Sequence, residues 1–181
     1  MVIDEGALVK AIMEAYKGPG YKVAARIAAK QKCELVISAP DWVAIIQREH
    51  VPRKVLGRIV EHLGELPVMG TAFQVQKKQT QAEIFDMAVP ETVALQDGTY
   101  MKRTQINYNG HQIWQRSSDL RVYMVDPALE DMMSCYSLSV LFTEDTRLAV
   151  LGSVSQLYIK PLPVMHNALP VLEHLSKLSW V

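Results

Sequence analysis

Two Glu-His pairs, Glu61-His62 and Glu173-His174, are the first places to look for chemistry in this sequence. Two imidazoles and two carboxylates brought together could hold a divalent metal or carry out acid–base work. The spacing argues otherwise, because neighbours on a helix point about 100° apart and two ligands on one face need an i, i+4 relation. The ordinary reading is that both histidines edge an apolar stripe. A metal-dependent hydrolase built on Glu61, His62, Glu173 and His174 is the alternative, and no cofactor is expected.

A second group is basic and aromatic. Lys77, Lys78, Lys102, Arg103, Arg116 and Arg121 fall in one stretch with Tyr100, Tyr108 and Trp114. Cations interleaved with rings could neutralise and stack a nucleic-acid strand. Outward charges on strands also protect sheet edges, which is the plainer explanation. Lys77, Lys78, Lys102, Arg103, Trp114 and Arg116 are the candidate ligand-binding residues. A third group, Asp126, Glu130 and Asp131 with Glu144 and Asp145, could bind magnesium. Its ordinary roles are helix capping, solvation and a turn.

The signatures of common enzymes are missing: no phosphate-cradling glycine loop, no nucleophile elbow and no H-E-x-x-H. Gly18-Pro19-Gly20 is too short for a dinucleotide loop. A triad assembled in space would leave no local trace. Lys plus Arg and Asp plus Glu are nineteen each, so the basic excess of a phosphate-tracking protein is lacking. Zero net charge also gives little protection against self-association. The expected partner is accordingly a protein or a second copy, with nucleic acid as the alternative.

These residues must be positioned by ordinary globular structure. Apolar residues make up 49% and charged residues 21% of the 181, which suits one domain with a substantial core. Cys33 and Cys135 are too few for a disulfide framework or a cysteine-based zinc site and read as reduced core thiols. Asp4 and Glu5 precede no apolar run, so a signal peptide is not expected, and no stretch approaches membrane-span length. The expected setting is cytoplasmic.

Leu8, Val9, Ile12, Met13 and Tyr16 have helical spacing over residues 4–16, and Gly18-Pro19-Gly20 ends that helix. Strands are expected at 21–28, 34–39 and 42–47. Pro52 is expected in the first helical position of an amphipathic helix striped by Val55, Leu56, Ile59, Val60, Leu63 and Leu66. From 67 to 125 the pattern favours strands: 73–75, 84–85, a hairpin 104–115 turning on Asn109-Gly110, and 120–125. Residues 90–101 read as loop. Asp126-Pro127 opens a short helix reaching Met133, followed by strands at 137–142, 147–151 and 156–159 and a helix over roughly 166–178, whose start Pro170 allows to fall nearer 169.

The closing helices carry Val60-Glu-His-Leu-Gly-Glu-Leu66 and Leu172-Glu-His-Leu-Ser-Lys-Leu178, identical at four of seven positions. Residues 1–66 and 126–181 thus read as two αβββα units, joined by a strand-rich insert at 67–125. The expected fold is α+β: a mostly antiparallel sheet with two long helices covering one side and an internal pseudo-twofold duplication. In element order alone this resembles the TATA-box-binding-protein fold, although the insert departs from it. That outline implies an arrangement and transfers no function. The expected function is a non-enzymatic binding or assembly module acting through a sheet face or the insert.

Overall fold

The computed structural model describes residues 1–28, 30–78, 82–83, 100–134, 139–143, 145–163 and 168–178. The first element, α1 (Glu5–Lys17), starts where Asp4 accepts a 2.8 Å hydrogen bond from the Ala7 amide, filling one orphan N–H of the first turn. It buries Leu8, Ile12 and Ala15. Gly20 follows with φ +87° in the left-handed region, and a Cβ there would meet the Val75 carbonyl oxygen at 2.8 Å. The Gly-Pro-Gly segment therefore stops a helix and also lets a strand pass close by.

A three-strand meander comes next: β1 (Tyr21–Ile27), β2 (Cys33–Ala39) and β3 (Trp42–Gln47). Then α2 (Arg53–Leu63) buries Val55, Ile59 and Leu63 and ends at Gly64 in the left-handed conformation. Pro52 takes the capping position, one residue ahead of the expected first helical one.

The remaining strands are β4 (Ala72–Val75), β5 (Ala82–Glu83), β6 (Tyr100–Tyr108), β7 (His111–Arg116), β8 (Val122–Val125), β9 (Val140–Phe142), β10 (Leu148–Leu151) and β11 (Ser155–Ile159). Helix α3 (Pro127–Glu130) is capped by Asp126 and is shorter than expected; α4 (Leu169–Leu175) takes the later of the two expected starts, with Pro170 in its first turn. The expected strand at 84–85 and the start of the last helix at 166 lie outside the described residues. Asn109 (φ 50°) and Gly110 (φ 79°) make the anticipated turn between β6 and β7. Strand β6 begins at Tyr100, inside the stretch expected to be loop.

All the described strands join one open antiparallel sheet in the order β5-β4-β1-β2-β3-β11-β10-β9-β6-β7-β8. Among the described residues ten strands have three or more residues, and the two-residue β5 extends one edge. The 67–125 segment is not one insert beside this sheet. Its β4 and β5 extend the first meander, while β6, β7 and β8 extend the other end. Strands β3 and β11 pair at the middle, so the meanders β1-β2-β3 and β9-β10-β11 run outward from them in mirrored order.

The closing helices do not share that relation. Leu63 of α2 belongs to the main core with Val23, Ile37, Ala44, Leu157, Val150, Phe142 and Trp114. Leu172 and Leu175 of α4 pack with Ile113, Val122 and Met124 in a separate cluster. Ile113 and Trp114 are adjacent on one strand and so face opposite ways. Thus α4 lies on the opposite side of the sheet from α1 and α2, and superposition of two αβββα units does not extend to their last helices. The sheet face away from α1 is not an open apolar surface at its centre, because Val36, Val43, Ile45, Leu141, Ala149 and Tyr158 are all buried. Among the described residues, no helix is long and apolar enough to cross a membrane.

Candidate binding cleft

A concavity of about 1000 Å³ lies between α1, the β2–β3 turn and α3. Ala7, Ala11 and Ala15 form the α1 wall because they recur every four residues, on the flank of α1 beside its buried Leu8 and Ile12. Pro40, Asp41 and Trp42 supply a second wall, and Asp126, Leu129 and Asp131 a third.

Each wall is tied down. The chain before α1 bridges to the end of the α3 turn through Ile3 and Met133; the Asp4 amide donates to the Met132 carbonyl at 2.8 Å and the Ser134 amide to Val2 at 2.9 Å. The Lys160 amide holds the Asp41 carbonyl at 2.8 Å. On its far side α3 sends Glu130 into the core, where Oε1 accepts from the Trp114 indole N–H at 3.0 Å and from Arg103 Nε at 2.7 Å. Glu130 is 3% exposed, a buried carboxylate stabilised by charge-assisted bonding.

Five carboxylates, Asp4, Glu14, Asp41, Asp126 and Asp131, line the cleft against one ammonium, Lys10. Asp4 and Asp126 each use Oδ1 for capping. Glu14 lies 3.5 Å from Lys17. The charges are spread along the rim, and among the described residues no group of three or more His, Cys, Asp or Glu could hold a metal ion.

The structure scatters the residues that looked chemical in the sequence. Arg103 and Trp114 are the partners of Glu130, so members of the basic and acidic groups satisfy each other. Arg116 binds both carboxylate oxygens of Asp119 and lies over the Phe142 ring, 4.9 Å from its centroid. That hydrogen bonding lowers the Asp119 pKa and raises that of Arg116. Lys77 and Lys78 are exposed just beyond β4, and Lys102 is exposed on β6, with six strands between those two. At about 4.8 Å per strand spacing this is roughly 34 Å along the sheet, too far for one short contact.

His62 stacks on Tyr16 (ring centroids 3.7 Å apart, planes 7° apart), with Nδ1 3.0 Å from the Tyr21 hydroxyl. It thereby joins α2, α1 and β1. Burial lowers its pKa, as does Arg58, while Glu61 opposes the shift; burial raises that of Tyr21. Glu61 points to Arg58 at 2.7 Å. Glu173 and His174 are exposed on α4, so the two Glu-His pairs belong to helices on opposite sides of the sheet. In the acidic group Asp126 caps, Glu130 is buried, Asp131 edges the cleft and Asp145 pairs with Arg147 at 3.0 Å; Glu144 lies outside the described residues.

Sequence reasoning missed the cleft. Its one local sign is the alanine spacing at 7, 11 and 15, and alanine is also the commonest choice for plain helix propensity. No protein-family model matches the chain, and comparisons with curated proteins and with solved structures give no match either.

Proposed function

We propose that the protein is a non-enzymatic binding module whose partner seats in the cleft between α1, the β2–β3 turn and α3. The observation that carries this reading is a concavity of about 1000 Å³ with small apolar side chains along one helix. Such a surface gives shape and apolar area to an incoming group, and its three walls are braced in advance, which lowers the ordering cost of binding. The groups elsewhere that could have suggested chemistry serve the fold instead: Glu130, Arg103 and Trp114 join α3 to the hairpin, and His62 joins two helices to β1.

The test is to place a photo-crosslinking side chain at Lys10, in the lining of the cleft, and separately at Lys54 on α2, in cells that produce the protein. A discrete adduct from position 10, absent from position 54 and lost when Ala11→Trp on the α1 wall fills the cleft, is the expected result. Identical adducts from both positions, or an adduct indifferent to the plug, would remove the cleft from consideration.

A further inference from the structure

Resting on the cleft as the binding surface, we infer that its occupant is a cationic peptide segment of a partner protein, with basic side chains on the rim and a short apolar side chain against Ala7 and Ala11. The chain as a whole is neutral, nineteen cations against nineteen anions, whereas the cleft lining holds five carboxylates and one ammonium. The compensating cations therefore lie elsewhere on the molecule, and the local negative field is not a reflection of composition. Asp41 and Asp131 have no ion-pair partner among the described residues, so an incoming cation would not have to displace one.

The distribution of charge selects the kind of cation. A metal ion needs ligands that converge, and no convergent set exists among the described residues. Carboxylates spaced around a concavity match charges spaced along a chain. The apolar α1 wall separates a peptide from a simple polyamine, because a branched side chain such as leucine buries more apolar area against Ala7 and Ala11 than a polyamine's short methylene runs, each flanked by ammonium groups. An anionic occupant would meet repulsion on every wall.

The experiment uses the full chain, isotope-labelled for amide NMR, and fluorescent peptides of about twelve residues. One alternates Lys with Leu, one has Gln in place of Lys and one Glu; spermidine is the non-peptide probe. The Lys peptide should shift the amides of Gly6, Ala7, Ala11 and Leu129. Its affinity should fall about tenfold in the triple variant Glu14→Gln, Asp41→Asn, Asp131→Asn, which spares the N-capping carboxylates Asp4 and Asp126. Added salt should weaken it as well, and Ala11→Trp should abolish the shifts. If the Gln or Glu peptide binds the cleft as tightly, or the triple variant binds the Lys peptide unchanged, the cationic assignment is wrong while the cleft survives. Equal binding of spermidine there overturns the peptide assignment. If no probe of any charge moves a cleft amide, the cleft reading falls as well.

Discussion

Removing the Glu130 carboxylate should loosen the wall that α3 contributes to the cleft, and the size of the effect follows from its two partners. The Trp114 side chain is 1% exposed, so Glu130→Ala strands its indole N–H away from water, a cost of about 1–3 kcal/mol. Arg103 is different: its side chain is 38% exposed, and solvent takes over much of the lost pairing. That contribution is about 0–1 kcal/mol. The sum is about 1–4 kcal/mol, a large share of the stability of an ordinary domain. Glu130→Gln keeps an oxygen for the indole and should cost about half as much. In a Trp114→Phe background the stranded donor no longer exists, so Glu130→Ala should cost at least about 1 kcal/mol less than in the wild type. Urea unfolding followed by tryptophan fluorescence measures these differences, with far-UV circular dichroism in the Phe background. A loss below about 0.5 kcal/mol for Glu130→Ala, or an equal loss with and without Trp114, would refute this account of how α3 is held.

Other expectations follow from the same geometry. Leu63→Ala and Leu175→Ala should each cost about 2–5 kcal/mol and should add within about 0.5 kcal/mol, because the two leucines lie in separate clusters on opposite faces; a larger coupling in a double-mutant cycle would place the helices together. Gly20→Ala meets the Val75 carbonyl at 2.8 Å, whereas Gly64→Ala meets nothing within 4 Å, so Gly64→Ala should cost only about 1 kcal/mol of backbone strain and Gly20→Ala clearly more in thermal unfolding. The lowered His62 pKa means the fold favours the neutral imidazole. Its contribution is complete above the ordinary value of 6.5 and is lost as the pH falls from there through the lowered folded value; His62→Gln should flatten that part of the stability profile.

The elements legible in the sequence were those governed by near neighbours. The periodicity of Leu8, Ile12 and Ala15 and of Val55, Ile59 and Leu63 marks two helices because each apolar stripe has one core to face. Asn109-Gly110 marks a hairpin because the turn needs two positive φ angles. Sheet order is set by contacts between distant strands, and nothing local in β3 or β11 announces that they pair. The repeated Glu-His-Leu fixes a helical face but not which side of a sheet that helix covers. Arg103 and Trp114 looked like a binding surface because cations interleaved with rings can neutralise and stack a nucleic-acid strand, yet they are register partners on the core face of the β6–β7 hairpin, and Glu130 reaches them from a different part of the chain. Arg116 shows the reverse: its partner Asp119 is three residues away, close enough to have been read as a local ion pair.

The central claim is that binding occurs in the cleft, and a two-dimensional amide NMR screen of the full chain with a mixed library of small amines, guanidines, aromatics and acids tests it without assuming a ligand class. The account predicts that the residues shifted most often are Gly6, Ala7, Ala11, Asp41 and Leu129, and that Ala11→Trp silences them. Shifts centred instead on the exposed Ile27, Val68 and Met69 would contradict it, as would their persistence in the plugged variant or the absence of any hits.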